Sequence, residues 1–173
     1  MIAADSAKLN EIIEVLALSI ADSLNDGEKT VLIGIQTRGV FIAERIQKIL
    51  KKERGFNVPV GKIDVTLFRD DINYRSTLPR IRETSIGFDV DGKEIILIDD
   101  VLFTGRTVKA AIEDITSFGR PECIRLAVIV DRGHREMPFQ ADYAGLKIDT
   151  AKTDTVKVNM NEIDGNDFIE ISE

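Results

Sequence analysis

The chain has 173 residues, 43% hydrophobic and 31% charged, with a formal net charge of −7. That balance predicts one globular domain over residues 1–173 and excludes a disordered chain and a generally basic nucleic-acid surface, though a local basic patch stays open. One cysteine (Cys123) and one histidine (His134) exclude a disulfide framework and a Cys/His zinc cluster; with no signal segment and no apolar run near the ~20 residues of a membrane span, the expected location is the cytoplasm.

In chain order, Leu9, Ile12, Ile13, Leu16, Ile20 and Leu24 recur at helical spacing, so a helix is predicted over 5–25, capped by Asp5 or Ser6 and stopped at Asn25-Asp26-Gly27. Thr30 to Ile35 is an apolar run suited to a buried strand; Gln36–Gly39 forms a loop, and a helix follows over 40–52. Alternation over 63–68 predicts a second strand. Residues 69–86 are polar, carry Arg69, Arg75, Arg80 and Arg82, and read as a long mobile excursion. A third strand is predicted over 94–98, ending in Asp99-Asp100 and a turn, with a helix over 106–118. A fourth covers 124–130 and ends at Asp131; short late strands are predicted over 156–160 and 168–171. Cys123 reads as a small buried filler, and Asp164, Asp167, Glu170 and Glu173 as a solvated acidic surface.

Strands alternating with helices imply an α/β fold, a mainly parallel twisted sheet flanked by helices. Ligands of such sheets bind beyond the carboxyl ends of the strands. Four polar segments follow predicted strands: Gln36–Gly39, Arg69–Asp71, Asp99–Thr107 and Asp131–Arg135. The most informative runs from Ile95 through Asp99, Asp100, Val101, Leu102 and Phe103 to Thr104-Gly105-Arg106-Thr107. Free N–H groups at a helix start, two hydroxyls and a glycine make a phosphate cradle. Adjacent carboxylates would repel that phosphate, so they suit a ribose diol or the neighbourhood of a divalent cation. The pattern is neither a Walker A loop nor a dinucleotide fingerprint.

At these residues the sequence resembles the type I phosphoribosyltransferases, whose signature is an apolar strand, two acids, a short apolar spacer (here Val101-Leu102-Phe103) and Thr-Gly-x-Thr. More narrowly it resembles the pyrimidine-operon attenuation proteins that are also uracil phosphoribosyltransferases, through Gly34–Gly39, Asp64–Asp71, Val130–Glu136 and Asp142-Tyr143. The resemblance implies a phosphoribosyltransferase fold with a small hood and a mobile loop. It implies transfer of the phosphoribosyl group of PRPP to uracil, giving UMP, with Mg²⁺ accompanying PRPP. On that pattern Asp99 and Asp100 hold the ribose hydroxyls and help organise the Mg²⁺ shell through water or those hydroxyls. Thr104, Gly105, Arg106 and Thr107 bind the 5′-phosphate. Thr37, Arg38 and Gly39 form the pyrophosphate loop, with Arg38 facing the leaving group, and Arg69 or a neighbour closes over it. Asp131, Arg132, Gly133 and His134 border the base. Purine members carry an acid just before Thr-Gly; here that position is Phe103, which favours uracil. The family also implies dimers or larger homo-oligomers and binding of a pyrimidine leader RNA when UMP is bound, with Arg132 and Arg135 as candidate contacts. Against RNA binding, Leu16–Ser23 carries no Lys or Arg, and Gln140 stands where the family usually has an arginine. Two other readings remain: an RNA-binding regulator without turnover, and a transferase for another base.

Overall fold

The computed structural model describes residues 1–24, 27–65 and 84–173. The helix stop at Asn25-Asp26, the second half of the predicted second strand (66–68) and Arg69, Arg75, Arg80 and Arg82 lie outside the described residues.

The larger sheet has five parallel strands: β2 (Thr30–Ile35), β3 (Val60–Ile63), β4 (Glu94–Leu102), β5 (Cys123–Asp131) and β6 (Tyr143–Lys147), in the order β3-β2-β4-β5-β6. Its strands carry near-continuous apolar runs because helices cover both faces. Ile96, Ile98, Ala127 and Ile129 pack towards α1 (Ser6–Ser23) and α2 (Arg38–Arg54); Ile95, Leu97, Leu126 and Val128 pack towards α3 (Arg106–Ser117). That split is the two-residue period of a strand. Helix α1 begins as its sequence predicts, Asp5 Oδ1 accepting the Lys8 N–H at 2.9 Å, and buries Leu9, Ile12, Ile13, Leu16 and Ile20.

A second sheet, antiparallel and three-stranded, joins both ends of the chain: β1 (Ile2–Ala4), β8 (Phe168–Ser172) and β7 (Thr155–Asn159), in that order. It forms the hood. Its Ala4, Val158, Met160 and Ile169 belong to the same apolar cluster as α1 and α2. Among the described residues no helix is long and apolar enough to cross a membrane.

Several boundaries differ from the sequence reading. The strand expected over 63–68 lies at Val60–Ile63, paired with β2 from Leu32↔Val60 to Ile35↔Ile63. Gly61 hides it, because a Cβ there would stand 3.0 Å from the Phe88 ring. Strand β6 escapes notice for a similar reason: a Cβ at Gly145 would stand 2.2 Å from Ile12 Cγ2, so α1 packs directly on its backbone. Strand β4 runs four residues beyond its expected end at Ile98, to Leu102. Helix α2 starts at Arg38, two residues before its expected start at Val40.

The acidic residues near the C-terminus are not all a solvated surface. The short helix α4 (Asn161–Asp164) and the turn after it face α2. Arg45 donates to Glu162 at 2.8 and 2.7 Å and to Asp167 at 2.9 and 2.8 Å. Arg38 pairs with Asp164 at 2.9 Å. Hydrogen bonds from Arg45 pull the Glu162 carboxyl below its usual range. For Asp167 and Asp164 burial alone would raise the pKa, but the bonds from Arg45 and Arg38, the backbone N–H groups of Asn161 and Met160 and the nearby positive charge together outweigh it, and both end lowered. A lowered carboxylate contributes stability that is present above its unfolded pKa and lost as pH falls through the folded one. Unfolding midpoints are therefore expected to hold near neutrality and to fall below about pH 4, the unfolded carboxylate range. Arg45→Met should cost about 1–3 kcal/mol at neutral pH and blunt this acid dependence. Thermal melts from pH 7 to pH 3 check both.

Candidate active site

The site arises from unequal strand lengths. Pairing of β4 with β2 ends at Gly34↔Ile98, while pairing with β5 continues to Leu102↔Asp131. Beyond Ile98 one flank of the central strand is open, and the loop from β2 to α2 fills it. Its Gln36–Thr37 peptide is cis, and the Gln36 N–H donates to Ile63 O at 2.9 Å. Gly39, in the first turn of α2, lies against β4: a Cβ there would be 2.4 Å from Ile98 O and 3.3 Å from Asp99 Cα.

Asp99 and Asp100 are buried, 3% and 5% exposed. Asp99 Oδ1 accepts the Asp100 N–H at 2.9 Å and Asp100 Oδ1 the Val101 N–H at 3.0 Å. The sequence placed them just past a strand; they lie within its last turns of pleat, in the middle of the sheet. After Leu102, a core residue, Phe103 and Thr104 lead into Gly105, which adopts φ 90° and caps α3. Only glycine takes that left-handed conformation readily, and here Met137 and Phe139 crowd it as well. Thr104 Oγ1 accepts the Arg106 N–H at 3.3 Å, and Thr104 O accepts the Glu136 and Met137 N–H groups at 2.9 Å each. The Arg106 side chain turns outward to Glu136 at 2.8 Å.

The segment after β5 is a tight nest. Gly133 and His134 both have positive φ, 75° and 57°, and Asp131 Oδ1 accepts the Gly133 N–H at 3.0 Å. Arg135 pairs with Asp131 at 2.5 Å and donates to Phe139 O at 3.0 Å and Phe103 O at 2.8 Å. Arg132 is 5% exposed and donates to Thr150 Oγ1 at 3.2 Å and Ala151 O at 2.8 Å. Its guanidinium lies 4.1 Å from the centre of the Phe103 ring, a cation–π contact. Burial pulls its pKa down, with only Asp154 opposing. His134 meets Phe103 edge-on and shares a 2.6 Å hydrogen bond with Thr150 O. Both arginines named from the sequence as RNA contacts are thus committed to partners inside the fold.

These segments border a cavity of about 490 Å³. Of the residues singled out from sequence, Arg38, Asp99, Asp100, Val101, Phe103, Thr107 and Arg132 line it. Thr37 and Gly39 belong to the start of α2 and Thr104, Gly105 and Arg106 to the turn that opens α3, both at its edge, Asp131, Gly133 and His134 to the nest, and Arg69 lies outside the described residues. The sequence reading missed the far wall, Lys152–Lys157 of the hood. Its signal, two lysines among Thr153, Asp154 and Thr155 before an apolar alternation, was legible only as a strand start.

Residues 4–163 match the phosphoribosyl transferase domain family. The chain is 46% identical over 165 residues to the bifunctional protein PyrR of Elusimicrobium minutum, covering 95% of this chain and 92% of that one. It is 45% identical over 166 residues to the bifunctional protein PyrR of Deinococcus radiodurans, covering 96% and 91%. Among solved structures, a Trypanosoma cruzi hypoxanthine phosphoribosyl transferase shares the fold at TM-score 0.75 and 18% identity, covering 100% of this chain and 91% of that one. A Staphylococcus aureus hypoxanthine phosphoribosyltransferase does so at 0.71 and 19%, covering 98% and 90%. These bear out the type I phosphoribosyltransferase fold; at such identity they speak for the fold alone. A chain with this cavity at the carboxyl ends of its strands, matched over nearly its whole length by these relatives, belongs to the phosphoribosyl transferase domain family and, within it, to the PyrR proteins.

Proposed function

We propose that this protein transfers the phosphoribosyl group of PRPP to N1 of uracil, yielding UMP and pyrophosphate. The observation that carries the reading is the meeting of Arg38 at the start of α2, the buried Asp99–Asp100 pair near the end of β4 and Thr107 in the first turn of α3 around one cavity. The 5′-phosphate sits on the turn Thr104–Thr107, where the start of α3 offers backbone N–H groups and two hydroxyls. The ribose diol faces Asp99 and Asp100. As the C1–O bond breaks, positive charge on the ring develops beside these fixed carboxylates, and negative charge on pyrophosphate beside Arg38. The family resemblance assigns Arg69 to the leaving group, as a further positive charge on pyrophosphate.

The donor set fits Mg²⁺ brought by the substrate. Among the described residues no three His, Cys, Asp or Glu side chains gather into a cage, and Mg²⁺ characteristically binds through one or two carboxylates, waters and substrate phosphates. Asp99 and Asp100 would hold it through water or the diol; when bound it neutralises diphosphate charge.

The base lies by Phe103 and Arg132, with Asp131, Gly133 and His134 at its border. Phe103 gives a purine no carboxylate, whereas the polar edge of uracil meets the Arg132 guanidinium. In an assay of pyrophosphate release, uracil is expected to exceed hypoxanthine and orotate in kcat/KM by about 100-fold or more; no turnover with uracil sinks the reading. The name "bifunctional" carried by the relatives favours a second activity, binding of pyrimidine leader RNA by the UMP-bound protein. Filter binding with and without UMP tests it, and weak, UMP-independent, sequence-blind binding rejects it. With free PRPP, uracil and UMP as small-molecule partners, the protein works in the cytoplasm as a dimer or larger homo-oligomer.

A further inference from the structure

The ion pair between Arg38 and Asp164 joins two places 126 positions apart in the chain. Arg38 donates through Nε at 3.2 Å and Nη2 at 2.9 Å to the two oxygens of one carboxylate. A guanidinium has five N–H groups. This side-on grip engages two of them, and the other three lie on the edges turned away from Asp164. Arg38 lines the cavity and Asp164 does not, so the carboxylate stands behind the cation.

Asp164 is itself fixed. It ends α4, its Oδ2 accepts the Met160 N–H at 2.9 Å, and its side chain is 17% exposed. A second cation shares it: Lys157 Nζ, from β7, stands 3.7 Å from Asp164 Oδ1 and 4.0 Å from Glu170. Lys157 also lines the cavity. One buried-side carboxylate thus meets two cavity-facing cations, one from the start of α2 and one from the hood. A free arginine loses considerable rotamer freedom when it grips an anion, and prior fixation removes that loss from the binding step. The planar fork of Arg38 and the point charge of Lys157 are complementary donors for two linked phosphates.

We propose that Asp164 is the positioning residue of the pyrophosphate subsite, holding Arg38 and Lys157 as a cationic pair, and that Lys157 is the second cation of that subsite. The proposal rests on the phosphoribosyl-transfer reading above. It is tested on the full chain by calorimetric titration with magnesium pyrophosphate, beside steady-state kinetics with PRPP and uracil. D164N keeps the shape of the side chain and removes its charge. It is expected to weaken pyrophosphate binding about tenfold and to raise KM for PRPP in step, leaving KM for uracil within about twofold of the parent. D164E should recover part of the loss. K157Q, at a half-exposed position, should weaken pyrophosphate several-fold, and the double variant less than the product of the two, since both act through one cluster.

Unchanged pyrophosphate affinity in D164N and K157Q overturns the proposal. So does an equal rise in KM for uracil, the mark of a generally loosened hood. If D164N does not fold, K157Q decides alone. Parent protein that binds magnesium pyrophosphate without turning over uracil removes the uracil reading and supports this one; parent protein with no affinity for pyrophosphate overturns both.

Discussion

Changing Asp99 and Asp100 together to Asn is expected to lower kcat/KM for PRPP on the order of 10³-fold. A hydrogen bond from a hydroxyl to a charged acceptor contributes about 1.5–3 kcal/mol, and the diol makes one with each carboxylate in the proposed complex. Asn keeps an oxygen for the Asp100 and Val101 N–H groups that the carboxylates now accept at 2.9 and 3.0 Å. The fold should therefore survive with a melting midpoint within a few degrees of the parent. The reason is local satisfaction of the backbone and not exposure, because both residues are buried in the central strand. Steady-state kinetics and a thermal melt on the same sample separate the two effects. Near-normal activity in the double variant means the diol is held elsewhere.

Gly39→Ala is expected to damage both folding and turnover. The added methyl would sit 2.4 Å from Ile98 O and 3.2 Å from the Ile98 carbonyl carbon. Both are backbone atoms of β4, which is hydrogen-bonded to β2 on one side and β5 on the other and cannot retreat. The first turn of α2 must move instead, and Arg38 moves with it. Overpacking of this kind costs about 1–3 kcal/mol, more where no side chain can yield. A urea midpoint should register that loss, and pyrophosphate affinity should fall with it. Gly87→Ala is the control: among the described residues nothing lies within 4 Å of a Cβ there, so its effect should stay within about 0.5 kcal/mol. An alanine at position 39 that leaves both readouts unchanged would mean that the close approach is relieved at no cost.

Much of the fold was legible in the sequence because its central elements follow simple periods. Helix α1 and the apolar strands β2, β4 and β5 were found within a few residues of their ends, and the segments 36–39 and 99–107 were placed together at the carboxyl edge. What escaped depends on long-range contacts. Strands β3 and β6 contain glycines that admit another element's side chain, Phe88 at Gly61 and Ile12 at Gly145, and so lose the alternation by which a strand is recognised. The continuation of β4 through Asp99 and Asp100 is set by its pairing with β5, which no local pattern reveals. Asp164 and Asp167 read as solvated because their cations, Arg38 and Arg45, lie more than 100 positions away. The hood wall at Lys152–Lys157 was missed on the same ground.

The small sheet is stitched from segments far apart in sequence: Ile2 pairs with Glu170 and Ala4 with Ile169. A contact with such sequence separation forms late, since the intervening chain must be ordered before its closure is rewarded. During synthesis the parallel sheet and the turn between β4 and α3 can assemble before β8 has left the ribosome. The nascent protein therefore forms the turn between β4 and α3 early, whereas the hood wall beside the cavity is complete only once β8 has docked.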